Sequence, residues 1–218
     1  MRKYKICVLF LFIISLYCFE FVNANNNFPL LGKIIYLDPG HGGLDPGAMY
    51  GEIKEKDINL EISKKIEEKL LKLGAIVYMT RYGDYDLSVN NTINRKRSDL
   101  SRRSNIINKS DCDLFLSIHL NAEETNTYRG AQAFYADKNE KNIEIAKIFQ
   151  EEFKKNLNST RKYKKDNTLY LQKRLKVPGI LLEVGFLSNP NERYLLKQEI
   201  YQNKIAETIV SATLSYFK

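Results

Sequence analysis

Ile34-Ile35-Tyr36-Leu37-Asp38-Pro39-Gly40-His41-Gly42-Gly43 is an apolar run that stops abruptly in a turn carrying a histidine. Its four apolar residues suit a short buried strand, and Asp38-Pro39-Gly40 ends it. The pattern recurs twice downstream. Asp113-Leu114-Phe115-Leu116-Ser117-Ile118-His119-Leu120-Asn121 holds the second of only two histidines. Gly179-Ile180-Leu181-Leu182-Glu183-Val184-Gly185-Phe186 carries a carboxylate at the same relative place. In open α/β sheets chemistry gathers at the carboxyl ends of strands, so three such endings point to one site.

The segments between these runs give the fold class. Ile58, Leu60, Ile62, Ile66, Leu70 and Leu73 follow a mostly helical spacing over residues 56–73, and Gly74 supplies a stop. Residues 75–79 read as a strand, 81–92 as a polar loop, and 100–108 as the end of a second helix. Strands are expected at 114–118, 130–136 and 180–184. Residues 139–157 read as an amphipathic helix, 161–165 as an exposed loop, and 200–217 as a closing helix. Strands alternating with helices indicate an α/β fold: a single domain, a largely parallel central sheet, helices on both faces, and a site at the strand carboxyl ends.

Length and composition agree with one globular domain. The 218 residues suffice for a full core, and no repeat or low-complexity block suggests a separate binding module. Residues 1–24 read as a signal peptide: Arg2, Lys3 and Lys5 precede an apolar run over residues 6–19, and Val22-Asn23-Ala24 offers a cleavage site. An uncleaved anchor is the competing reading, although a spanning helix needs about 20 apolar residues. Tyr17 is too bulky for Cys18 to mark a lipoprotein. Residues 25–32 form an Asn-rich flexible lead-in, and the catalytic domain is assigned to 33–218. Cleavage would leave Cys112 as the single cysteine, so the domain must be stable without a disulfide. It would also remove three positive charges and one negative, lowering the formal charge from +8 to +6. A basic exported protein is drawn to polyanions such as cell wall; no nucleic-acid module is present.

Two imidazoles with nearby carboxylates are what a catalytic zinc centre requires: three protein ligands and one position for water. His41 and His119 supply two nitrogens. The third ligand is sought in Gly51-Glu52-Ile53-Lys54-Glu55-Lys56-Asp57, where Glu55 stands at a helix entrance favourable to negative charge. Glu52, Asp57 and Glu61 remain open alternatives on this ground alone. Glu183 is the candidate acid–base carboxylate, because a carboxylate entering an apolar strand is costly without a purpose. The chain has no His-Glu-x-x-His helix, no phosphate-binding loop and no Gly-x-Ser-x-Gly elbow.

The motifs then become specific. Leu37-Asp38-Pro39-Gly40-His41-Gly42-Gly43-Leu44-Asp45-Pro46-Gly47-Ala48 resembles the opening motif of the zinc-dependent N-acetylmuramoyl-L-alanine amidases (Amidase_3 family). The likeness continues through Glu55-Lys56-Asp57-Ile58-Asn59-Leu60, Met79-Thr80-Arg81, Leu100-Ser101-Arg102-Arg103, the His119 strand, and Leu182-Glu183-Val184-Gly185-Phe186-Leu187-Ser188-Asn189. It implies His41, Glu55 and His119 as zinc ligands and Glu183 as the catalytic carboxylate. It also implies cleavage of the amide between the lactyl group of N-acetylmuramic acid and L-alanine in peptidoglycan.

Leu120 stands where the family more often has alanine, and is expected to reshape the mouth of the site. A small signal-bearing chain of this kind is similar to the germination-specific, CwlD-type members, which strip stem peptides so that spore cortex acquires muramic-δ-lactam. Such a chain would work in the cell wall or intermembrane space of the developing spore. A vegetative autolysin or cell-separation amidase, a zinc peptidase on stem peptides, and a non-catalytic wall-binding protein are the alternatives. Residues 157–177 are too short for an inhibitory insert, so control falls to expression, localisation or an activating or localising partner.

Overall fold

A computed structural model describes residues 28–90 and 92–218 of the chain. The signal peptide expected over residues 1–24 lies outside them, as does the start of the lead-in. The lead-in's last residues are pinned: Leu30 is fully buried, and its amide donates to Leu73 O. The packed domain therefore begins before residue 33.

Strand β1 (Ile34–Pro39) organises the sheet. Two short strands, β2 (Met49–Tyr50) and β3 (Ile53–Lys54), form a separate hairpin beyond it. Within the sheet, β1 pairs in parallel with β4 (Ile76–Met79) on one side and β5 (Leu114–Asn121) on the other. β8 (Gly179–Phe186) lies parallel to β5, and β6 (Gln132–Tyr135) runs antiparallel on its far edge. β7 (Lys164–Lys165) closes that edge, giving the order β4-β1-β5-β8-β6-β7. The sheet is thus largely parallel, as the alternating pattern requires.

Side-chain alternation divides the sheet into two unlike faces. Ile35 and Leu37 of β1, Leu116 and Ile118 of β5, and Ile180 and Leu182 of β8 point to the larger core. Helices α1 (Glu55–Lys72), α3 (Asn142–Leu157) and α5 (Glu199–Tyr216) cover that face with stripes such as Ile62, Ile66 and Leu70. On the other face Tyr36 and Phe115 meet Ile107 of α2 (Arg95–Lys109), together with Leu171, Leu175 and Val177. Those last three flank a single tight turn at Gln172–Arg174. Asp38, Ser117, His119 and Glu183 also belong to this second face, where the apolar cover stops and a cleft opens.

Besides the unanticipated β2–β3 hairpin, three elements depart from the sequence expectation. Residues 164–165 make an edge strand rather than a free loop, although both lysines stay exposed. The helix expected from residue 139 begins at Asn142, because Asn142 N bonds back to Asn139 O in a preceding turn. α4 (Pro190–Leu196) was not anticipated, yet its signal is present: the Asn189 side chain accepts from Asn191 N and Glu192 N, with Pro190 opening the helix.

The larger core should dominate stability. Phe149→Ala, at a fully buried position of α3, is expected to cost about 3–5 kcal/mol, read as a shift in the urea midpoint. A loss below about 1 kcal/mol would place Phe149 outside the core that this class of substitution probes.

Candidate active site

Three elements bring one side chain each to the carboxyl end of β1 and β5. His41 lies two residues past β1, in a left-handed conformation with φ 63°. Glu55 opens α1, delivered there by the β2–β3 hairpin. His119 projects from β5. Their donor atoms all lie within 4.8 Å of one another. The loop before His41 must lie directly on the second imidazole: a Cβ on Gly40 would stand 2.3 Å from the His119 ring, a position only glycine can take.

Glu55 is the hub. Its Oε1 accepts from Leu120 N at 3.0 Å and lies 3.1 Å from His119 Nδ1. Oε2 accepts from Ala48 N at 2.9 Å and lies 3.2 Å from His41 Nε2. Leu120 N is free to donate because the β5–β8 register breaks between His119 and Asn121. Burial works to raise the Glu55 carboxyl's pKa, but the two imidazoles hold it far below the ordinary carboxylate range. Burial likewise opposes protonation of His41, and its bonds to Asp45 and Glu55 prevail, raising it to about 9. The cluster therefore favours positive charge at its centre.

Glu183 sits opposite His119 in the β5–β8 register. It lines the same cleft, about 340 Å³, with His41, His119, Lys96 and Tyr170. Its Oε2 is buried and, among the described residues, has no hydrogen-bond partner. Burial first, and then the Glu55 charge, push its carboxyl up to about 8, against the pull of His41. It is a proton-holding group beside a cluster built to attract positive charge.

A match to the family described as N-acetylmuramoyl-L-alanine amidase spans residues 35–214. This chain belongs to that family. The germination-specific N-acetylmuramoyl-L-alanine amidase of Bacillus subtilis (strain 168) is 45% identical over 216 residues, covering 94% of this chain and 91% of the relative. The amidase LytC of the same organism is 31% identical over 192 residues, and the match spans 36% of its length. Among solved structures, the CwlD amidase from Clostridioides difficile in complex with the GerS lipoprotein is 40% identical with a TM-score of 0.81. That likeness covers 85% of this chain and 98% of the CwlD chain.

The amidase site includes residues to which the sequence assigned no role. Asp45 Oδ2 lies 2.9 Å from His41 Nδ1, which orients the ring and leaves Nε2 facing Glu55. Asn59, one turn into α1, donates to Glu55 Oε1 at 3.2 Å and to Gly40 O at 3.3 Å. Asp45 was visible as a polar residue four positions from His41, but its partner was not.

Leu120 does not shape the mouth: alternation turns its side chain into the larger core, 3% exposed. Ser117 is no nucleophile, since its hydroxyl donates to Asp38 Oδ2 at 2.8 Å in a fully buried position. Cys112 is buried, and burial pushes its thiol up to about 11, so it is inert.

The His41 shift predicts a pH dependence of stability for metal-free protein. A histidine raised from 6.5 to about 9 stabilises the fold fully below pH 6.5, and that contribution fades as pH rises through 9. Urea midpoints should fall across this window, and Asp45→Asn should flatten the fall. A midpoint independent of pH there would contradict the His41–Asp45–Glu55 coupling.

Proposed function

We propose that this amidase uses zinc to hydrolyse the bond between N-acetylmuramic acid and L-alanine, stripping stem peptides from spore cortex so that muramic-δ-lactam can form. The observation that carries the reading is the convergence of His41, Glu55 and His119 beside Glu183 in one cleft. The donor set fits the metal. Two imidazole nitrogens and one carboxylate oxygen are a hydrolytic zinc set, and imidazoles disfavour the hard cations magnesium and calcium. Glu55 presents one oxygen to each ring nitrogen, and the three donor atoms lie within 4.8 Å of one another. When bound there, zinc supplies Lewis acidity, polarising the scissile carbonyl and acidifying the attacking water.

The protein's own groups do the rest. Asp45 and Asn59 hold His41 and Glu55 in place. Glu183 takes a proton from the attacking water and returns it to the leaving L-alanine amine. A cation held by His41, Glu55 and His119 would draw the Glu183 carboxyl down from its raised value, toward the range where acid and base forms exchange near neutral pH. Tyr170 and its neighbours line the same cleft as Ser117 and Glu183 of the sheet.

The cortex assignment rests on likeness to the germination-specific relative, which extends over nearly the whole of both chains. The solved CwlD amidase was captured with the GerS lipoprotein, which supports a protein partner for this chain. The residue 1–24 reading supports export, and together with the cortex assignment it supports work in the intermembrane space or wall of the developing spore.

Residues 25–218 with zinc should release intact stem peptides beginning at L-alanine from purified peptidoglycan, identified by mass spectrometry. Single amino acids or cut cross-bridges would instead mark a peptidase. His119→Ala should lose both zinc retention and activity, measured by metal analysis after gel filtration. Glu183→Gln should keep zinc and fold but lose about 10²–10⁴-fold in turnover, the range for acid–base catalysis. Near-normal turnover in zinc-loaded Glu183→Gln would remove Glu183 from the mechanism.

A further inference from the structure

The motifs around Thr80-Arg81 and Arg102-Arg103 have no part in the chemistry above, yet both contain an arginine that is only 1% exposed. Their guanidinium groups converge on three consecutive carbonyl oxygens. Arg81 Nε donates to Pro39 O at 3.0 Å, and its Nη2 donates to Gly40 O at 3.0 Å. Arg103 Nη1 donates to the same Pro39 O at 3.0 Å, and its Nη2 to His41 O at 2.6 Å. Pro39, Gly40 and His41 are the residues through which β1 turns into its left-handed metal-site loop.

The contacts continue to the other ligand-bearing elements. Arg81 Nη2 also donates to Lys56 O at 2.6 Å, the carbonyl next after Glu55. Arg103 Nη1 donates to Asp38 Oδ1 at 2.7 Å, and the other oxygen of Asp38 accepts from Ser117, two residues before His119 on β5. Asp99 holds Arg103 Nε from one turn away on α2. The Arg81 stem also packs on Gly42, where an added Cβ would meet its Cδ at 3.0 Å and Tyr85 O at 2.4 Å. The loop is enclosed on both sides.

We propose that Arg81 and Arg103 are positioning residues that clamp the carbonyls of residues 39–41, fixing His41 in its left-handed conformation and in register with Glu55 and His119. All the Arg81 hydrogen bonds go to carbonyl oxygens, so its task is to hold backbone rather than to neutralise a carboxylate. A planar fork of five N–H groups can reach several carbonyls at fixed angles, which a lysine ammonium cannot. The proposal rests on the zinc reading of the His41, Glu55 and His119 cluster.

Arg81→Lys and Arg103→Lys test it, because each keeps the positive charge and removes the fork. Zinc affinity of chelator-stripped protein is measured by competition with a chromophoric chelator, with circular dichroism and thermal unfolding recorded on the same samples. Each folded variant should lose about 10–100-fold in zinc affinity, as when a partner of a metal ligand is removed. A purely structural role would lower the unfolding temperature and leave zinc affinity unchanged, and that result overturns the proposal.

Should Arg103→Lys fail to fold, Asp99→Asn keeps the guanidinium but loosens its Nε, and is read in the same way: weakened zinc binding supports the clamp, and unchanged binding overturns it. No zinc binding by the unsubstituted protein would defeat the metal reading and the clamp together. Equal binding by that protein and the variants would defeat the clamp alone.

Discussion

A carboxylate buried at 3% exposure cannot stay ionised without donors on every side, and Glu55 finds them on three separate elements. Ala48 N comes from the turn before the β2–β3 hairpin, Leu120 N from the irregular end of β5, and Asn59 from the next turn of α1. Both imidazoles complete the set. Satisfying that one group fixes where α1 begins, where the β5 ladder breaks, and how closely the His41 loop approaches His119. The helix dipole adds a favourable field at the same end.

The sheet makes this arrangement possible by keeping its faces unlike. One face is sealed by α1, α3 and α5 around aliphatic side chains, which supplies the apolar burial that stabilises the domain. The other is polar where it meets the cleft, and the Asp38 charge is compensated in place. Asp38, fully buried, accepts from Arg103, Thr80 and Ser117. Burial alone would raise the Asp38 carboxyl, but Arg103 and the hydroxyls keep it low, so the pair remains ionic beneath the site. A buried ion pair of this kind adds little net stability. Its value is geometric, because it ties β1, β4, β5 and α2 together directly below His41.

Much of this was legible in the chain. The apolar runs at 34–37, 114–118 and 180–184 gave three central strands, and the helical spacing of 56–73 gave α1, since both depend on short-range periodicity. His41 and His119 stood out because each follows an apolar run, and Glu183 because it interrupts one. Glu55 could not be separated from Glu52, Asp57 and Glu61 by composition or local pattern; the family motif selected it, and geometry brings it to the histidines. α4 was legible in Asn189-Pro190, a capping side chain followed by a proline at the helix start.

Side-chain alternation and strand endings were written in the sequence, because they are set within a few residues. That Asp45 meets His41 Nδ1, and that Arg81 and Arg103 grip residues 39–41, were decided only by tertiary structure. The Arg103–His41 contact joins residues 62 positions apart, and Arg81–Gly40 joins residues 41 apart. No local propensity encodes such contacts. They arise when the parallel order β4-β1-β5-β8 sets the ends of distant strands side by side, and buried donors there must find acceptors or lose the hydrogen bonds they made to water.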